Sequence, residues 1–216
     1  MQERARSPIA ALVLLMVLVG CGEEPVPGPV AMDAAELEQW EIALVEWRIE
    51  KNEGLMQSAE SPLPEERREG FEGLDYYFPE ESFRYVLPLE TATAGGTVEL
   101  DLRKGESVTY EVRGKIRFQH GGQDLELTVF APTGEGEGKL WIPFHDKTNG
   151  ETTYAGGRYL DPEPQAGGMI EVDFNKAYNP YCAYDAERWN CTLPPAENTL
   201  PIRVEAGEKL LSQAKH

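Results

Sequence analysis

Histidine and cysteine are scarce in this chain, three of each in 216 residues. Zinc takes about four nitrogen or sulfur ligands, and His216 is simply the last residue. His120 and His145 remain, at a spacing that carries no ligand pattern, so no metal is expected. Positive charge is also short: 20 Lys and Arg stand against 38 Asp and Glu, a net charge of −18. Such a surface repels phosphate backbones and anionic headgroups, which argues against nucleic acid as a partner. There is no GxSxG, no P-loop and no HExxH, and no cofactor is expected. Internal repeats, a second domain and the pattern of a parallel sheet are missing as well.

Long apolar runs are absent with one exception, Ile9–Val19. It is about half the ~20 residues that a membrane helix needs, and it follows Arg4 and Arg6, so it reads as a signal-peptide core. The run ends in Leu18-Val19-Gly20-Cys21, which looks like a bacterial lipobox. The expectation is cleavage after residue 20 and lipidation of Cys21, giving a membrane partner through several acyl chains. An ordinary cleaved signal with an incidental cysteine is the alternative. Residues 1–20 carry Glu3, Arg4 and Arg6, so their removal takes the net charge to −19. Gly22, being no Asp, favours outer-membrane placement facing the periplasm in a cell that has an outer membrane. Residues 21–31, rich in Pro and Gly, read as a tether. Residues 32–216 then form a single domain, with a helical arm at 32–80 and a β domain at 85–209.

Asp33 and Glu36 stand at the positions of a capping box. The helix they start runs to about Asn52, with Leu37, Trp40, Leu44 and Trp47 on one stripe and Ile42, Val45 and Ile49 on a second. Two apolar stripes predict a helix clamped between the domain and another segment; the alternative is an exposed stripe that meets a partner. A short second helix is expected over Pro64–Gly70.

From Tyr85 the period changes to two. Val98, Leu100 and Leu102 alternate with charged residues, and a long strand covers Ser107–His120 with Gly114 marking a bulge or bend. Gly121-Gly122 signals a tight hairpin, after which Leu125, Leu127 and Val129 alternate. Further strands are expected over Lys139–Phe144, Thr152–Leu160, Met169–Phe174 and Leu200–Glu205. Seven or eight short strands predict a mainly β fold, an antiparallel β-barrel or sandwich with an N-terminal helical arm.

With Cys21 lipidated, Cys182 and Cys191 remain in an oxidising compartment, where a disulfide is expected. A metal site, or a nucleophilic cysteine with His145 as its base, is the alternative. Polar residues gather at strand ends: Arg158, Tyr159 and Asp161; Asp173, Asn175 and Asn179; Glu197 and Asn198. Asparagines there commonly satisfy loop backbone. The functional reading is a pocket that fixes a small polar or sugar-like ligand, with Trp141, Tyr159 and Tyr178 as flat surface. Two other readings stand beside it. One is a hydrolase or lyase with Asp173 or Glu197 as base and Arg158 as clamp; the other is a structural or partner-binding envelope protein. The sequence sets no oligomeric state.

Several segments together, spanning about Glu36 to Lys209, resemble a known family: the helix with Trp40, Trp47 and Arg48, Ser61–Glu80, Leu140–Asp161, the run VDFNKAYNPYCAY at Val172–Tyr184, and LPPAENTLPIRVEAGEK at Leu193–Lys209. They are similar to the bacterial and archaeal domain of unknown function 1684. The resemblance implies a fold neighbourhood and no catalytic residues. Arg is common in that family where His145 and Thr199 stand, which speaks against His145 as a required ligand or base.

Overall fold

The structure, a computed structural model, describes residues 25–134 and 138–211. The signal-like segment, Cys21 and His216 lie outside the described residues. Helix α1, Ala34–Gln57, starts where the sequence places it: Asp33 accepts from the N–H groups of Ala35 and Glu36, and Glu36 reaches back to the N–H of Asp33. It continues one turn past Asn52 and ends at Ser58. A single turn, α2, covers Glu65–Arg68.

The strands form three antiparallel groups. β2 (Glu90–Asp101), β3 (Ser107–His120) and β4 (Gln123–Pro132) make a meander. β8 (Met169–Asp173) sits between β1 (Arg84–Pro88) and β7 (Glu163–Pro164), while β5 (Ile142–Phe144) pairs β6 (Arg158–Leu160). Gly121 and Gly122 join β3 to β4, both with positive φ, as a tight hairpin requires. The main core takes Tyr85 and Leu87 from β1, Ile116 and Phe118 from β3, Leu127 from β4, Phe144 from β5 and Val172 from β8. The inner faces thus meet as in a sandwich, and among the described residues no barrel closes.

Gly114 stands where the register slips on both sides of β3. Its φ is +154°, and a Cβ there would lie 2.3 Å from the carbonyl oxygen of Glu90. Backbone on a neighbouring strand cannot swing aside as a side chain can. Gly114→Ala is therefore expected to cost roughly 1–3 kcal/mol, read as a lower denaturation midpoint with an unchanged slope.

Three expectations need correction. Leu200–Glu205 forms no strand; the Arg158 guanidinium takes the carbonyl of Val204 and then that of Ala206, groups that a neighbouring strand would otherwise use. Only Arg158–Leu160 of the Thr152–Leu160 segment is strand, because Thr153 and Tyr154 turn back on the loop, where Asn149 binds both. The described part of the tether is also fastened: the N–H of Val30 donates to Arg84 O, and Gln119 N–H donates to Pro27 O.

The helix itself brings the fourth correction. Only Leu44 and Leu55 of its 24 residues are buried, and Ile42, Val45 and Ile49 are 52%, 48% and 52% exposed. The clamp is one-sided and largely polar. Trp40 Nε1 donates to Asp173 at 2.8 Å, Arg48 donates to the carbonyls of Tyr77 and Asn175, and Lys51 pairs Glu208 at 3.0 Å. Replacing Ile42, Val45 and Ile49 together by serine is expected to change stability by no more than about 0.5 kcal/mol per site, as for solvent-facing positions. A collapse of the thermal transition would show that this face is covered.

Candidate functional site: an aromatic cleft

The meander and β5–β6 bring aromatic residues to one place. Trp141 exchanges two backbone hydrogen bonds with Phe130 of β4, and Tyr159 of β6 exchanges two with Tyr178. Both rings are nearly closed off, at 8% and 9% exposure, and form the floor. Tyr110 of β3 stacks on Trp141 with ring centroids 4.7 Å apart. The hydroxyls of Tyr110 and Tyr159 both reach Thr192, which fixes the far wall against the floor.

That wall is the segment held by the Cys182–Cys191 disulfide, whose Cα atoms are 6.0 Å apart. It presents Tyr181 and Trp189, edge to face at 5.0 Å. Helix α1 adds Trp47, and the Lys51 ammonium lies 4.6 Å from the Tyr178 ring. The enclosed space is a cleft of about 890 Å³ whose lining includes seven aromatic side chains and three of the four tryptophans of the chain. Lys139, Asp161, Glu163 and Lys176 supply its charge, and Glu163 and Lys176 pair with each other at 3.1 Å.

Burial holds the phenols of Tyr159 and Tyr178 protonated well above their usual range, so both are hydrogen-bond donors. Tyr178 donates to Asp161 at 3.0 Å. Asp161 is exposed at the cleft mouth, yet the protein packed around its carboxylate thins its hydration and raises its pKa, against smaller opposing effects of Tyr178, Lys51 and Lys139. A carboxylate with a raised folded pKa weakens the fold above that pKa, and the penalty fades as pH falls through it toward the ordinary 3.8. Asp161→Asn is thus expected to hold or raise the melting temperature at pH 7, with the difference vanishing below about pH 4. A lower melting temperature at pH 7 would refute this.

The eight polar candidates of the sequence divide. Tyr159 and Asp161 line the cleft. Arg158 is fully buried, paired with Asp146 at 2.8 Å and bonded to three C-terminal carbonyls. Asp173 is closed over by the Trp40 indole and accepts from Asn175. Asn175 and Asn198 each use the side-chain amide as a substitute peptide group, accepting from one N–H and donating to the same residue's carbonyl: Glu80 for the first, Thr128 for the second. Asn179 donates to Glu208 and to Lys209 O, while Glu197 is exposed. The cleft is lined by none of Arg158, Asp173 and Glu197, so they form no shared acid–base site there. The sequence reading missed Tyr110, Lys139 and Trp47 as lining residues, and Glu208 as a buried carboxylate. The density of aromatic residues in Tyr178–Trp189 was the one available signal for the far wall.

Among solved structures, the solution NMR structure of an uncharacterized protein from Haloarcula marismortui is similar, with 33% identity and a TM-score of 0.65. The match covers 85% of this chain and 100% of that one. No curated protein matches the chain. The family described as protein of unknown function (DUF1684) matches residues 69–209, which hold most of the cleft and all three strand groups, and the chain belongs to that family.

Proposed function

We propose that the protein is a lipid-anchored cell-envelope protein whose aromatic cleft binds a small polar, sugar-like ligand. The cleft carries this reading: flat, half-buried rings beside an ionisable rim suit a molecule with apolar faces and a polar edge. A pyranose ring has that character, presenting C–H groups on its faces and hydroxyls around its rim. Asp161 accepts from such hydroxyls, and the rings of Tyr110, Tyr178 and Trp189 receive the faces. The lipobox at Leu18–Cys21 supports an extracytoplasmic placement at a membrane, facing the periplasm where the cell has an outer membrane, held by acyl chains on Cys21. The Cys182–Cys191 disulfide suits the same oxidising compartment.

The test is tryptophan fluorescence and thermal shift against envelope saccharides, nucleotides and amino acids, with Asp161→Asn and Trp189→Ala as comparisons. Saturable quenching and a raised melting temperature are expected with saccharides, weakened in both variants. A response confined to a non-sugar class, or to no class, overturns the reading. For the anchor, metabolic labelling with a palmitate analogue is expected to mark the wild type and not Cys21→Ala.

A second reading rests on the outer face of α1, where Ile42, Val45 and Ile49 are exposed beside Glu41, Glu46 and Glu53. Such a stripe suits a protein partner. Proximity labelling in cells would support it if the triple serine variant loses neighbours that the cleft variants keep.

A further inference from the structure

If the ligand is sugar-like, the cleft also sets how much of it is held. An 890 Å³ space lies near the top of the ~300–1,000 Å³ range of ordinary ligand pockets, more than one pyranose ring fills. Its accessible aromatic surface is not one platform but three, each carried by a different part of the chain. Tyr110 of β3 is half-buried and backed by the closed-off Trp141, with the two planes 17° apart. Tyr178 is half-buried and backed by Tyr159 at 5.8 Å, with Trp47 of α1 beside it across the Lys51 ammonium. Trp189, half-buried on the disulfide segment, meets the more exposed Tyr181 edge to face at 5.0 Å and carries the Arg188 guanidinium 4.7 Å from its ring centroid. At Tyr110 and Tyr178 the closed-off ring behind fixes the orientation of the half-buried one before any ligand arrives, which lowers the entropy lost on binding; at Trp189 the ring is held by Tyr181 and Arg188.

We propose that the cleft binds a glycan chain of three or more rings, with one ring at each of these aromatic faces. This rests on the sugar-like reading above and deepens it. A single sugar leaves two of the faces wetted. A longer chain covers them in turn, and each added ring is held by the same preformed contact type. The charged rim follows the same logic: Asp161 and Lys139 lie along the lining and can meet hydroxyl or acylamino groups of successive rings.

The experiment titrates the full mature chain with two ladders, β-1,4-linked N-acetylglucosamine and β-1,4-linked glucose, from one ring to five. In the ladder that binds, affinity is expected to rise about tenfold or more between one ring and three, then to level off. Trp189→Ala and Trp47→Ala are each expected to remove roughly fivefold or more of the affinity for the trimer, as anchor residues do, and a smaller factor of the affinity for the monomer. Far-ultraviolet circular dichroism and the melting temperature check that both variants fold, and Tyr110→Ala provides an independent third face. Equal affinity for one ring and for five, or equal loss for monomer and trimer in every variant, overturns the chain proposal and leaves the sugar-like reading standing. No response to any member of either ladder overturns both.

Discussion

Replacing Arg158 by methionine is expected to destabilise the fold by about 3–5 kcal/mol, the scale for breaking a buried ion pair from one side. The side chain is fully buried, and its guanidinium holds two things together at once. One is the Asp146 carboxylate, which also accepts from the N–H groups of Thr148 and Val204. The other is the row of carbonyls from Val204, Ala206 and Glu208. Methionine fills much of the volume but leaves Asp146 charged and the carbonyls without a donor. Removing both charges, as Arg158→Met with Asp146→Leu, is expected to recover only part of the loss. The charge left unpaired disappears, while the three carbonyls still lack a donor. Urea unfolding of the two single variants and the double variant measures the coupling. A single variant with the wild-type midpoint would show that the C-terminal segment holds its course without Arg158.

The same segment shows why part of this fold is legible in the sequence and part is not. The start of α1 and the Gly121-Gly122 hairpin are set by residues within a few positions of each other and can be read directly, and the slip in β3 is marked by its own glycine, Gly114, although the backbone that crowds it belongs to Glu90 of β2. Leu200–Glu205 has the alternation of a strand, yet its partners come from His145–Lys147 and Arg158, more than forty positions earlier, and no local pattern reports that. Polar residues mislead for a related reason. Asn175 and Asn198 look like ligand-binding groups because a buried amide must be satisfied. Sequence does not say whether protein or ligand satisfies it, and here both amides close on backbone. The family-specific run at Val172–Tyr184 therefore contributes in two ways. Asp173 and Asn175 fasten α1 and the Glu80 turn, while Tyr178 and Tyr181 belong to the cleft. The cleft was half visible: Trp141, Tyr159, Tyr178 and Asp161 are readable as candidates. Trp47, Tyr110 and Trp189 join them only through the packing of α1, β3 and the disulfide segment.

Glu208→Ala is expected to be as costly, about 3–5 kcal/mol, and to reach the cleft as well. This carboxylate is wholly buried, and every partner it has is a donor: Lys51 Nζ at 3.0 Å, the backbone and side-chain N–H groups of Asn179 at 3.2 and 2.9 Å, and the Tyr184 hydroxyl. Its charge adds to burial in holding the phenols of Tyr76 and Tyr184 protonated, well above their usual range. Alanine leaves a cavity, an unpaired Lys51 ammonium and three orphaned donors. Glutamine does not repair this, because its NH₂ group would face donors where the carboxylate presents a second acceptor. Lys51→Met is milder, since Lys51 is partly solvated and Glu208 keeps its other donors. The expected order of loss is Glu208→Ala, then Glu208→Gln, then Lys51→Met. Lys51 lies one turn after Trp47 on α1, Asn179 follows Tyr178, and Tyr184 stands inside the disulfide-closed segment. One carboxylate thus ties together three of the elements that wall the cleft. In Glu208→Gln, the milder of the two Glu208 variants, tryptophan fluorescence is expected to shift to the red as Trp47 and Trp189 become wetter. Full retention of both stability and the native spectrum would mean that these walls are held independently of one another.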